Sequence, residues 1–167
     1  MVGRWLVAAA LAGLGMGCAK SADPAPPAAE ADVRAAVAAL QAAVKAHDAA
    51  RVWDLFDARA RTDADQAAAA VQGQYRQADA AGRAELEQAY GLPGAELAAL
   101  AGPGFIKARP FWKKYDELPE STITKVSVLG KQATVNYTEP DGDTEKFTLL
   151  LRDGRWKAVL AMPKAGP

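Results

Sequence analysis

The chain has 167 residues, the length of about one domain once an N-terminal leader is set aside. Its 20 Lys and Arg balance 20 Asp and Glu, so no basic excess points to nucleic acid, and the lone cysteine excludes an intramolecular disulfide. Half of the residues are hydrophobic, but much of that half is alanine, which buries little area, so Trp, Phe, Tyr, Leu and Val must supply the core.

Met1–Arg4 carries one positive charge, and Trp5–Leu14 is apolar and uncharged. That run fits the hydrophobic region of a signal peptide and is short for a membrane span. Further on, Ala19–Ala29 contains Pro24, Pro26 and Pro27 and reads as an extended, semi-rigid spacer. Between them lies Leu14-Gly15-Met16-Gly17-Cys18, which resembles the bacterial lipobox. The resemblance implies a diacylglyceryl group on the Cys18 thiol, cleavage after Gly17 and acylation of the new amino terminus. The protein would then be a membrane-anchored lipoprotein of the cell envelope, facing the periplasm. Gly15 stands where the lipobox prefers Leu, and cleavage after Ala19 to give a secreted soluble protein is the alternative. The expected division is a leader over 1–17, a spacer over 18–30 and a domain over 31–163.

Val33, Val37, Leu40 and Val44 fall on one helical stripe and predict a first helix over Glu30–Ala46. Asp48 is a natural N-cap for a second, carrying Val52, Trp53, Phe56 and Ala60. Thr62 and Asp63 resemble capping-box starts for a third helix reaching Ala81, thin in large apolar residues. Helical character returns over Arg83–Tyr90 and stops at Gly91, and a short helix follows from Pro93 to Ala101. Gly102-Pro103-Gly104 punctuates the chain, and Phe105, Ile106, Phe111, Trp112 and Tyr115 sit on another short helical piece around Pro110.

After Pro119 the period changes from 3.6 to 2. Ser121–Leu129 is rich in β-branched residues, and Ala133, Val135 and Tyr137 alternate with polar neighbours. Phe147, Leu149 and Leu151 form the inner face of a third strand; Trp156, Ala158 and Leu160 form that of a fourth. The turns are Gly130-Lys131, Pro140-Asp141-Gly142 and Asp153-Gly154. The expected fold is α+β, with N-terminal helices packed on a four-stranded antiparallel meander.

Ala46-His47-Asp48 followed by Val52-Trp53-Asp54-Leu55-Phe56, and the closing Gly154-Arg155-Trp156-Lys157, are similar to phrases of the nuclear-transport-factor-2-like, or SnoaL-like, superfamily. The resemblance spans roughly Ala31–Met162 and implies a curved sheet forming a cone. The superfamily's usual first strand, after the second helix, is not visible here. Its members include enzymes, ligand binders and inert modules, so no function comes with the fold.

His47 is the single histidine, so neither a His-rich metal site nor a His pair can form; it sits at a helix end, where the dipole favours it, and no Ser-His-Asp set is read around it. Glu139, Asp141, Asp143 and Glu145 crowd one hairpin without the register of a calcium loop; they read as a solvated turn whose repulsion an incidental cation would relieve. Arg109, Lys113 and Lys114 interleave with Phe111, Trp112 and Tyr115: either an amphipathic helix or a contact for anionic headgroups or an acidic ligand. Trp53, Phe56, Trp112, Tyr137 and Trp156 are the candidate pocket residues; filling the core is their other use. No catalytic residue, metal ligand or cofactor motif is read. The expectation is a lipid-anchored, non-catalytic module that binds a small apolar ligand or an envelope protein partner. The alternative is a cone-fold isomerase or dehydratase, marked by a carboxylate or His47 buried in a cavity mouth with a shifted pKa.

Overall fold

A computed structural model describes residues 27–164. Cys18, the leader and most of the spacer lie outside the described residues. Helix α1 (Pro27–Lys45) starts three residues before Glu30, inside the expected spacer. Proline at a first helical position loses no hydrogen bond, because that N–H has no partner within the helix. Val33, Val37, Leu40 and Val44 are all buried, as their spacing requires. The chain turns at His47, whose φ is 50°, and the Asp48 carboxylate accepts the Arg51 N–H at 2.9 Å to cap α2 (Ala49–Leu55).

The second helix does not run on to Ala60. It ends before Phe56, which is extended and makes a single parallel bridge with Ala158. The Asp57 N–H donates to the Ala158 carbonyl at 2.9 Å, and the Asp57 side chain accepts the Arg59 N–H at 3.0 Å. Asp57 therefore caps α3 (Ala58–Gln77), and Thr62 and Asp63 are interior residues, not its start.

Helix α4 (Ala80–Tyr90) is capped by Asp79 and closed by left-handed Gly91. Three short helices follow: α5 (Gly94–Ala98), α6 (Gly102–Phe105) and α7 (Arg109–Lys114). Gly102-Pro103-Gly104 is thus helical and not mere punctuation. Its Gly102 N–H donates to the Asp65 carboxylate at 3.0 Å, and the Trp53 ring leaves no room for a side chain at Gly102. Tight packing against α3 selects the glycine.

After a 3-10 turn (Leu118–Glu120) come β1 (Thr122–Leu129), β2 (Gln132–Thr138), β3 (Thr144–Arg152) and β4 (Arg155–Val159). They form one antiparallel sheet in the order β1-β2-β3-β4, with all the described helices preceding it: an α+β fold. The last strand stops at Val159, one residue before the expected Leu160. Ala133, Val135, Tyr137, Phe147, Leu149, Trp156 and Ala158 face α1 and α2 in the main core, with Leu151 only half-buried. A second core of Val71, Leu86, Tyr90, Leu97 and Phe105 lies among α3–α6. Ala60 and Ala64 of α3 belong to the first core, and Ala68 and Val71 to the second. No helix among the described residues is long and apolar enough to cross a membrane.

Candidate functional site

β4 pairs with β3 only from Arg152–Arg155 to Thr148–Val159, so the start of β3 lacks a neighbour on that side. Beyond Val159 the chain swings toward α7, held by the Tyr115 hydroxyl, which donates to the Ala161 carbonyl at 2.5 Å. The separation opens a cleft of about 480 Å³. Tyr115, Tyr137, Phe147, Val159 and Leu160 line it, with Lys114, Glu139, Glu145 and Lys146 among its polar residues. Tyr137 and Phe147 meet edge to face, with centroids 5.6 Å apart.

Both phenols are held protonated. Burial, then the neighbouring Tyr137 and Glu145, drive the Tyr115 pKa far up. Burial with Glu139 and Glu145 pushes Tyr137 up to about 12. At neutral pH the two hydroxyls are therefore hydrogen-bonding groups and not bases.

One rim is strongly acidic. Glu117, from the turn before β1, reaches the β2–β3 hairpin, where its carboxylate oxygens and those of Glu139 and Asp141 offer ligand atoms within 4.8 Å of one another. The Asp141 N–H donates to the Glu117 carboxylate, while Glu117 Oε2 is buried without a partner. Burial and neighbouring acids raise the pKa of Glu117 and of Glu139. Three carboxylates are the oxygen donors a hard cation prefers, but calcium takes six to eight oxygens, so water would have to supply the rest. Glu117 lay outside the expected hairpin cluster because its sequence distance gives no sign of contact.

The structure does not gather the five expected pocket aromatics. Tyr137 alone of them lines this cleft. Phe56 is buried in the main core against Phe111, and Trp53 covers Gly102 beneath the Arg61 guanidinium. Trp112 stacks on exposed His47 at 4.7 Å and lines a separate depression with Lys107, Arg109 and Lys113. Trp156 lies beside the β3–β4 turn. Tyr115 and Phe147, which sequence reasoning assigned to an amphipathic helix and to the core, share the cleft with Tyr137. Comparisons with family models, curated proteins and solved structures return no match for this chain.

Proposed function

We propose that this is a lipid-anchored cell-envelope protein whose α+β domain holds a small ligand with an apolar body in the Tyr115–Tyr137 cleft. The observation that carries the binding reading is the departure of the chain from β3 after Val159, which opens an aromatic and aliphatic surface rimmed by charges of both signs. The leader and proline-containing spacer around Cys18 support the anchor. The binding test uses N-phenylnaphthylamine, a neutral fluorescent probe, with the full chain and with Glu145→Trp, which puts a large ring on the Tyr137 and Phe147 side of the cleft. Probe enhancement that Glu145→Trp removes is the expected result; enhancement unchanged by it sinks the binding reading. The anchor is tested by metabolic labelling with a palmitate analogue, where label must appear on the wild type and vanish from Cys18→Ala.

A second reading has one observation in its favour. Glu139 sits half-buried at the cleft beside the Tyr137 phenol, with a raised pKa, as a proton-carrying group of a cone-fold isomerase or dehydratase would. His47, the other candidate proton carrier, is exposed and turned to Trp112. Solvent deuterium in ligand extracted with the protein, absent with Glu139→Gln, would favour the enzyme; no incorporation favours binding.

A further inference from the structure

Two clusters of like charge lie toward opposite ends of the sheet. The hairpin end carries Asp116, Glu117, Glu139, Asp141, Asp143 and Glu145, which share one electrostatic neighbourhood. The opposite end of the sheet holds the Gly130-Lys131 and Asp153-Gly154 turns, and there the first turns of α1 pack. Ala29, Asp32, Gly130, Gly154, Arg155 and Trp156 line one depression. Arg155 and Trp156 also line the next, a cleft of about 550 Å³ with Arg51, Arg61 and Lys157 around a single acid, Asp54.

Two of its four cations serve the helix as well as the surface. Arg61 Nε donates to the Trp53 carbonyl at 3.1 Å, and Lys157 Nζ donates to the Asp54 carbonyl, so both cover the carbonyl end of α2. Arg51 and Arg155 are exposed and make no ion pair among the described residues. Two free guanidiniums beside two fixed cations line one cleft and offer the N–H donors that a phosphate group accepts, which arginine can engage with two parallel hydrogen bonds.

We infer that the Arg51–Arg61–Arg155–Lys157 cleft docks on anionic phospholipid headgroups. The source is lipid and not free phosphate because the cleft adjoins the first turns of α1, and α1 begins nine residues after Cys18 (27 − 18). A spacer of that length spans at most about 30 Å. The inference rests on the anchored reading for this choice of source. With the basic end on the membrane, the acidic end and the Tyr115–Tyr137 cleft face away from it.

The test floats the full chain carrying Cys18→Ala with phosphatidylcholine vesicles, with and without phosphatidylglycerol; the neutral vesicles set the background from Trp5–Leu14. The expected result is added partition on phosphatidylglycerol that salt weakens. Arg51→Gln with Arg155→Gln should reduce it roughly 25-fold, at about five-fold per cation. Both side chains are exposed and unpaired, so the double variant should keep the wild-type circular dichroism spectrum and melting temperature. Equal partition on both vesicles, or none lost in the folded double variant, overturns the inference. So does binding of inorganic phosphate at millimolar concentration that displaces the vesicles, which would make the ligand a soluble anion. A labelled Cys18 without phosphatidylglycerol preference defeats this inference alone. Preference without label removes the anchor and leaves the headgroup surface.

Discussion

Arg152 of β3 donates its Nε–H to Asp57 Oδ2 at 2.9 Å, tying the start of α3 to the sheet across 95 positions of chain. Asp57 is 2% exposed and Arg152 far more so. Burial alone would push the Asp57 carboxyl up, but the Arg59 N–H, the Arg152 guanidinium and the Ala58 N–H together hold it below its ordinary 3.8. Asp57→Ala removes a helix cap and half of an ion pair and should lower stability by about 2–4 kcal/mol in urea unfolding. Arg152→Ala should cost less, since Asp57 keeps its backbone donors. Because the folded pKa is lowered, this stabilisation is complete above about pH 4 and is lost as pH falls through the depressed value. An Asp57→Ala deficit that persists unchanged in strong acid would contradict this assignment.

Gly102→Ala should destabilise the domain by about 1–3 kcal/mol. A Cβ there would lie 2.7 Å from Trp53 Cη2 and collide with the Asp65 carboxylate that accepts the Gly102 N–H. Neither neighbour can withdraw freely, because Trp53 lies beneath Arg61 and Asp65 is on α3. Thermal melting compared with Gly130→Ala, where the space is open but φ is +58°, separates crowding from backbone strain.

Tyr115→Phe should cost about 1–2 kcal/mol, since it leaves the Ala161 carbonyl without its hydroxyl donor. It should also loosen the wall of the cleft formed by Leu160 and Ala161. In spectrophotometric titration, Tyr137 should ionise near pH 12 and Tyr115 only with unfolding. Ionisation of Tyr137 near pH 10 in the folded protein would show the cleft floor to be wet.

The acidic rim has the opposite pH sign from Asp57. Glu139 has its pKa raised above the ordinary 4.5, first by burial and then by Glu117, Asp141, Glu145 and Asp143. The folded state therefore prefers the protonated form, an advantage complete below about pH 4.5 and lost as pH rises through the raised value. Glu139→Gln should raise the melting temperature at pH 7, with the gain shrinking toward pH 4. A uniform gain at both values would point to a cause other than charge.

Much of the framework was legible because it follows local periodicity. The α1 stripe, the Asp48 cap, the Gly91 stop and the alternation of Ala133, Val135 and Tyr137 are each written within a few residues. The break at Phe56–Asp57 was not. Val52, Phe56 and Ala60 keep helical spacing straight across it, and only the distant Ala158 and Arg152 explain why the chain extends there. The cleft was hidden for the same reason. It depends on where β4 leaves β3 and on Tyr115 reaching Ala161, both long-range facts that leave no mark in local composition. Glu117 shows the limit most plainly, since it meets Asp141 only after two strands have paired.

The position of α1 also has a consequence for synthesis. Its apolar stripe is complete at Lys45, yet the sheet that covers much of it begins 77 residues later (122 − 45). At translation rates of about 5–20 residues per second, Val33, Val37 and Leu40 wait for seconds without that cover. The second core can close meanwhile, because its principal side chains lie between Ala68 and Ala108 and need no strand. A released fragment ending near Glu120 should therefore expose one greasy helix beside an already protected helical body, which is the form a holding chaperone would grip.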